Sequence, residues 1–183
     1  MSNVRFATAR ALFETFPATI TKLAIAPTDD PPHIFLRTLM AKEKLDEAAT
    51  FCAYLLPRRE AVWWACTCVR TLESTIQQNR AAGLLAAEEW VHEPDDVHRQ
   101  TALTIGTEGD SNDAATWLAL GAGWAGGFLL NIPQKQIPVP QYMTPRAARI
   151  AIMLSAMGLK APERATRLKS CIAECVKLTE TGL

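Results

Sequence analysis

Neither sign of charge prevails in this sequence: 19 Lys and Arg face 19 Asp and Glu, for a formal net charge of zero and a pI near 6.8. Binding a nucleic-acid duplex requires surplus positive charge to displace counterions, so a broad nucleic-acid surface is excluded. Histidine is scarce. His33, His92 and His98 are the whole supply, which leaves few partners for a nucleophilic cysteine. No Cys-x-x-Cys pair occurs among Cys52, Cys66, Cys68, Cys171 and Cys175, and an odd number of thiols argues against a disulfide framework. The opening residues, Met1-Ser2-Asn3-Val4-Arg5-Phe6, run into an amphipathic pattern and not into the charged-then-apolar order of a secretory leader. A reducing cytoplasm is the setting these features lead one to expect. Long apolar runs are wanting too. Ala114 to Ile132 is uncharged and long enough to cross a bilayer, but Gly121, Gly123, Gly126, Gly127 and Asn131 interrupt it. It reads as a buried helix followed by an extended segment, and no membrane span is expected.

Catalytic signatures are missing in the same way. Gly121-Ala122-Gly123-Trp124-Ala125-Gly126 spells Gly-x-Gly-x-x-Gly, yet it ends a helix with no strand before it, so it is not a phosphate loop. Asp110-Ser111-Asn112-Asp113 lacks the later glycine and glutamate of a calcium loop and reads as a helix cap. Glu88-Glu89-Trp90-Val91-His92-Glu93-Pro94-Asp95-Asp96-Val97-His98 gathers two histidines and five carboxylates, a set that suits zinc or iron. Pro94 breaks the helix between the histidines, however, and acidic residues are at home at the positive start of the second helix. No catalytic residue, metal or cofactor is therefore expected. The cysteines are read as small buried hydrophobes.

What the chain does have is helical periodicity nearly throughout, with no convincing period-two alternation. An all-α fold of antiparallel helical hairpins follows, either an irregular bundle or a short α-solenoid-like array, forming one domain over residues 1–183. Phe6, Ala9, Phe13 and Phe16 share a face of a first helix, and a proline-containing loop completes residues 1–30. Ile34 to Met40 reads as a short helix, and Leu45, Ala48, Ala49, Cys52, Leu55 and Leu56 mark the buried stripe of another. Ala61 to Val69 is apolar on nearly every side and is expected to bury Trp63 and Trp64 as the central helix. Helix starts near Pro57, Ile76, Pro94, Asp113, Thr144 and Pro162 fall about 18–19 residues apart, with one longer step before Thr144. That step holds residues 126–143, whose Pro133, Pro138 and Pro140 predict a polyproline-like strap. Thr144-Pro145 reads as the N-cap and first turn of the next helix, and Gly158 as its C-cap. Basic residues Arg146, Arg149, Arg164, Arg167 and Lys169 could form a local patch or simply a solvated face.

Three blocks of this sequence resemble an uncharacterised family of bacterial helical domains: Glu60-Ala61-Val62-Trp63-Trp64-Ala65-Cys66, Ala86-Ala87-Glu88-Glu89-Trp90-Val91, and Trp124-Ala125-Gly126-Gly127 with the proline strap before Thr144. The resemblance covers roughly residues 57–158. It departs at Phe128-Leu129-Leu130-Asn131, where the family pattern is richer in proline. Such proteins often accompany type VI secretion genes, sometimes near forkhead-associated domain proteins, so the resemblance implies a bacterial cytoplasmic accessory protein and brings no catalytic residues. Large apolar side chains supply the remaining functional reading. Trp90, Trp117, Trp124, Phe128, Pro138, Pro140 and Tyr142 are the candidate partner-binding residues if they are exposed together; otherwise the strap packs over a tryptophan and closes the core. The expected function is a non-enzymatic protein-interaction module whose partner is another protein, such as a secretion-system component. A small-ligand or metal-binding protein at the Glu88–His98 junction, and an immunity protein against a toxin, are the alternatives.

Overall fold

Helices dominate because nearly every stretch repeats its apolar residues at helical spacing. A computed structural model describes residues 5–17, 23, 25–73, 78–132 and 135–181. Seven helices come first: α1 (Ala9–Thr15), α2 (Pro32–Ala41), α3 (Leu45–Leu55), α4 (Arg58–Leu72), α5 (Gln78–His92), α6 (Asp96–Glu108) and α7 (Ala114–Gly123). A small hairpin of β1 (Phe128–Ile132) and β2 (Lys135–Pro138) follows, then α8 (Met143–Met157) and α9 (Ala161–Thr181). The helix start expected at Ile76, Pro133 of the strap, and part of the N-terminal loop lie outside the described residues.

The protein is an all-α bundle. In a solenoid each repeat touches only its neighbours. Here α4 packs against α3, α5, α7, α8 and α9 at once, and one continuous cluster of buried side chains runs from Phe6 to Val176. Trp64 is completely buried at the centre, and its indole Nε1 donates to the Cys171 carbonyl of α9 at 2.9 Å. Trp63 corrects the sequence expectation. It is 39% exposed and lies with Arg59 and Arg70 on an outer stripe of α4, so one tryptophan, not two, is buried by the hub. At the N-terminal end, Phe13, Phe35 and Phe51 form an aromatic knot with ring centroids 4.8–6.0 Å apart, which ties α1 to α2 and α3.

Several crossings are close because glycine permits them. A Cβ on Gly83 of α5 would lie 2.4 Å from the Ala115 carbonyl oxygen of α7. The glycines that spelled a phosphate loop also serve packing: Gly121 faces Val62 and Ala147, and Gly123 faces Leu103. Helix starts follow their polar caps. Asp95 accepts from the His98 N–H at 2.8 Å, and Asp113 from the Ala115 N–H at 3.2 Å. Thr144 departs from expectation, since α8 begins at Met143 with Tyr142 at its N-cap and leaves Thr144 inside the helix, buried, with no partner for its hydroxyl among the described residues. Gly158 does cap α8.

The uncharged segment that reaches bilayer length divides into α7, ten residues long, and β1. Among the described residues no helix is long and apolar enough to cross a membrane. The basic residues near the C-terminus are mostly neutralised. Arg164 pairs with Asp46, Lys169 with Glu43, Arg167 with Glu163 and the Leu72 carbonyl, and Arg149 donates to the Thr50 hydroxyl.

Candidate protein-docking face

The strap is not polyproline-like. Phe128-Leu129-Leu130-Asn131-Ile132 begins and ends on strand-forming residues, Phe128 and Ile132, and it pairs antiparallel with Lys135-Gln136-Ile137-Pro138. Pro138 is tolerated because it closes β2, opposite Phe128, where the ladder passes to the next residue: the Val139 N–H donates to Gly127 O at 3.1 Å. The register shifts between Phe128 and Leu130, leaving Leu129 as a bulge.

Two arginines hold the root of this hairpin. Arg99 of α6 is nearly buried; its guanidinium is paired with Asp96 and donates from Nη1 to Gly123 O at 3.0 Å and Gly126 O at 3.4 Å. Arg58, at the start of α4, donates to Ala125 O at 2.7 Å and Val139 O at 3.4 Å. Carbonyls released where α7 ends thus find charged donors, and charge-assisted bonds of this kind are the stronger class. Gly127 turns the chain with φ +73, and a Cβ there would meet the Arg99 guanidinium at 2.8–2.9 Å, so only glycine suits both turn and clamp. Arg5 adds a third cation nearby, donating to Gln141 Oε1 at 2.7 Å and lying over the Phe6 and Phe16 rings. Burial lowers the pKa of Arg58; burial, and then the Arg58 charge, lowers that of Arg5. Neither is ion-paired among the described residues.

Above this clamp the hairpin is open to solvent. Phe128 is 46% exposed, Leu129 51%, Ile137 37% and Tyr142 40%, and all of β2, Pro138 included, is exposed. Val139 turns inward and Pro140 is half-buried. The other predicted positions separate. Trp117 and Trp124 form a half-buried edge-to-face pair with centroids 6.4 Å apart, and the Trp117 indole donates to Ser111 O at 2.8 Å. Trp90 is sealed in the core at 6% exposure and cannot serve a partner directly. Sequence reasoning missed Leu129, Ile137 and the arginine clamp. Gly126-Gly127 followed by strand formers was the available signal for the hairpin; nothing local marked Arg99, which lies more than twenty residues away from the carbonyls it holds.

The junction between α5 and α6 brings Glu93, Asp95 and His98 together, with one ligand atom of each within 4.8 Å of the others. Its chemistry is that of a cap. His98 is bonded to Asp95 through both its backbone N–H and its ring Nδ1, at 2.8 and 2.9 Å, and the backbone bond is the main cause holding the Asp95 carboxyl below its usual range. His92 instead borders a groove of about 450 Å³ with Arg59, Trp63, Cys66, Thr67, Glu88 and Val91. All five cysteines are buried, and burial pushes the Cys52, Cys66 and Cys68 thiols up, away from nucleophilic character.

With this geometry in view, residues 35–179 match a family model described as a family of unknown function, DUF6931. The chain belongs to the DUF6931 family. The DUF6931 match extends beyond the resemblance read from residues 57–158, reaching from α2 to α9 and taking in the hub, the junction and the hairpin. α1, its loop and the first residues of α2 precede the DUF6931 span. No curated protein and no solved structure matches the chain.

Proposed function

We propose that this chain is a non-enzymatic protein-docking module whose contact surface is the hairpin of β1 and β2. One observation carries the reading: Phe128, Leu129 and Ile137 are exposed on a hairpin pinned at its root by Arg58 and Arg99, with Tyr142 exposed just beyond it at the start of α8. Rigid, exposed apolar anchors beside cationic groups are the features that interface hot spots reuse, because they bury area with little loss of conformational entropy. The type VI setting rests on the sequence resemblance, and it makes a cytoplasmic component of a bacterial secretion machine the partner to test first. The experiment is a quantitative pull-down from the native bacterial host, comparing the wild-type chain with a Leu129→Asp, Ile137→Asp double variant. We expect a specific protein to be retained by the first and lost by the second while both keep the same helical circular dichroism. Equal recovery by the two chains overturns the reading.

A second reading, metal binding at the α5–α6 junction, has the proximity of Glu93, Asp95 and His98 in its favour. Opposing it, the site faces the positive end of α6, where a cation is disfavoured. Calorimetric titration with zinc alone separates the readings: saturable binding that His98→Ala abolishes would favour the metal site.

A further inference from the structure

α9 turns two thiols toward two different helices. Cys171 and Cys175, one turn apart, are buried on the face that packs against α3 and α4. The Cys52 thiol of α3 lies against Cys175, and the Cys68 thiol of α4 lies against Cys171. An independent contact fixes the second pairing, because Trp64, one turn before Cys68, donates its indole N–H to the Cys171 carbonyl at 2.9 Å. The fifth thiol, Cys66, faces the other way, into the floor of the groove lined by Trp63 and His92. Cys171 and Cys175 sit one turn apart on the same face, yet the bundle gives each a neighbour on another helix.

We propose that these four residues form a redox-modification site, in which peroxide oxidation joins Cys68 to Cys171 and Cys52 to Cys175 and so latches α9 onto the hub. Cys171 is the natural point of attack, since the hydrogen bond from Cys68 favours its thiolate whereas burial disfavours those of Cys52 and Cys68. Its sulfur attacks one peroxide oxygen; the S–O bond forms, the O–O bond breaks, and hydroxide leaves, so sulfur loses two electrons and peroxide gains them. Cys68 sulfur then attacks the sulfenic sulfur, the S–S bond forms and the S–O bond breaks. The Cys68 proton leaves with the departing oxygen, so two thiols and one peroxide become a disulfide and two waters. The same balance holds for Cys52 and Cys175. Access comes through undocking of α9 from α3 and α4, one of the sub-global openings by which native proteins expose buried groups. One opening exposes all four thiols together, and closing restores the pairing.

The test uses the intact chain, treated with hydrogen peroxide, blocked with N-ethylmaleimide in denaturant and digested without reduction. Peptides linked Cys52–Cys175 and Cys68–Cys171 are expected, with Cys66 left to carry the label. A link from Cys171 to Cys175, capture of Cys66, or labelling of all five cysteines overturns the proposal. Amide hydrogen exchange across 161–181 provides a second readout: at least about tenfold slower exchange after oxidation supports the latch, and unchanged exchange overturns it.

Discussion

Trp63 and Trp64 are adjacent in sequence and have opposite environments, which makes them a controlled comparison of what burial contributes. Trp64 is enclosed and its indole N–H satisfies the Cys171 carbonyl, whereas Trp63 is partly in solvent. Replacing Trp64 by Phe removes volume from a close-packed site and strands a buried carbonyl, at a cost of about 2–3 kcal/mol. The same replacement at Trp63 should stay within about 0.5–1 kcal/mol. Urea unfolding of the two variants checks this, and equal midpoints would remove α4 from the centre of the fold. The run of apolar letters from Ala61 to Val69 was enough to place this helix inside. It was not enough to orient it, because Arg59 and Arg70, which mark the outer stripe with Trp63, lie outside that run. Trp90 shows the converse limit: its helix carries acidic neighbours and looks like surface, and only the tertiary packing encloses it.

At the level of elements, the places where caps are polar side chains were the most legible. Asp113 and the acidic cluster before His98 act locally, within three residues, and local chemistry is visible in a sequence. The hairpin was not, since its stabilisation comes from Arg58 and Arg99, brought to it by α4 and α6. The cap of α6 yields a pH prediction. The Asp95 carboxyl titrates below its ordinary value near 4 in the folded chain, so folding favours the ionised form. Its contribution is therefore fully present above the unfolded value and disappears as pH falls through the lower folded value. Asn retains the capping oxygen without the charge, so Asp95→Asn should match the wild type only in strong acid and be the less stable chain near neutrality. Melting temperatures of both chains between pH 2 and 7, followed by circular dichroism, decide the matter; curves that stay parallel would show that the carboxylate adds nothing to the cap.

For the molecule as a whole, the question raised by the even cadence of helix starts was whether neighbours pack only on neighbours. That cadence is shared by solenoids and bundles, so sequence spacing could not choose between them; the choice lies in contacts between distant elements, such as α9 with α3 and α4, and α8 with α3 and α4. Those contacts predict how the chain comes apart. A solenoid unfolds through partly folded arrays because coupling is nearest-neighbour only. A bundle whose hub touches five helices loses its core at one step, since removing any side of α4 exposes the rest. Five tryptophans report the side built by α4, α5 and α7 with its C-cap, while far-ultraviolet circular dichroism reports every helix, including α2, α3 and α9, which contain no tryptophan. Urea transitions followed by the two signals should therefore coincide in midpoint and slope. Separated transitions, with fluorescence changing at a different urea concentration from ellipticity, would mean that the helices around α9 form a unit of their own, and the hub would then be a boundary instead of a centre.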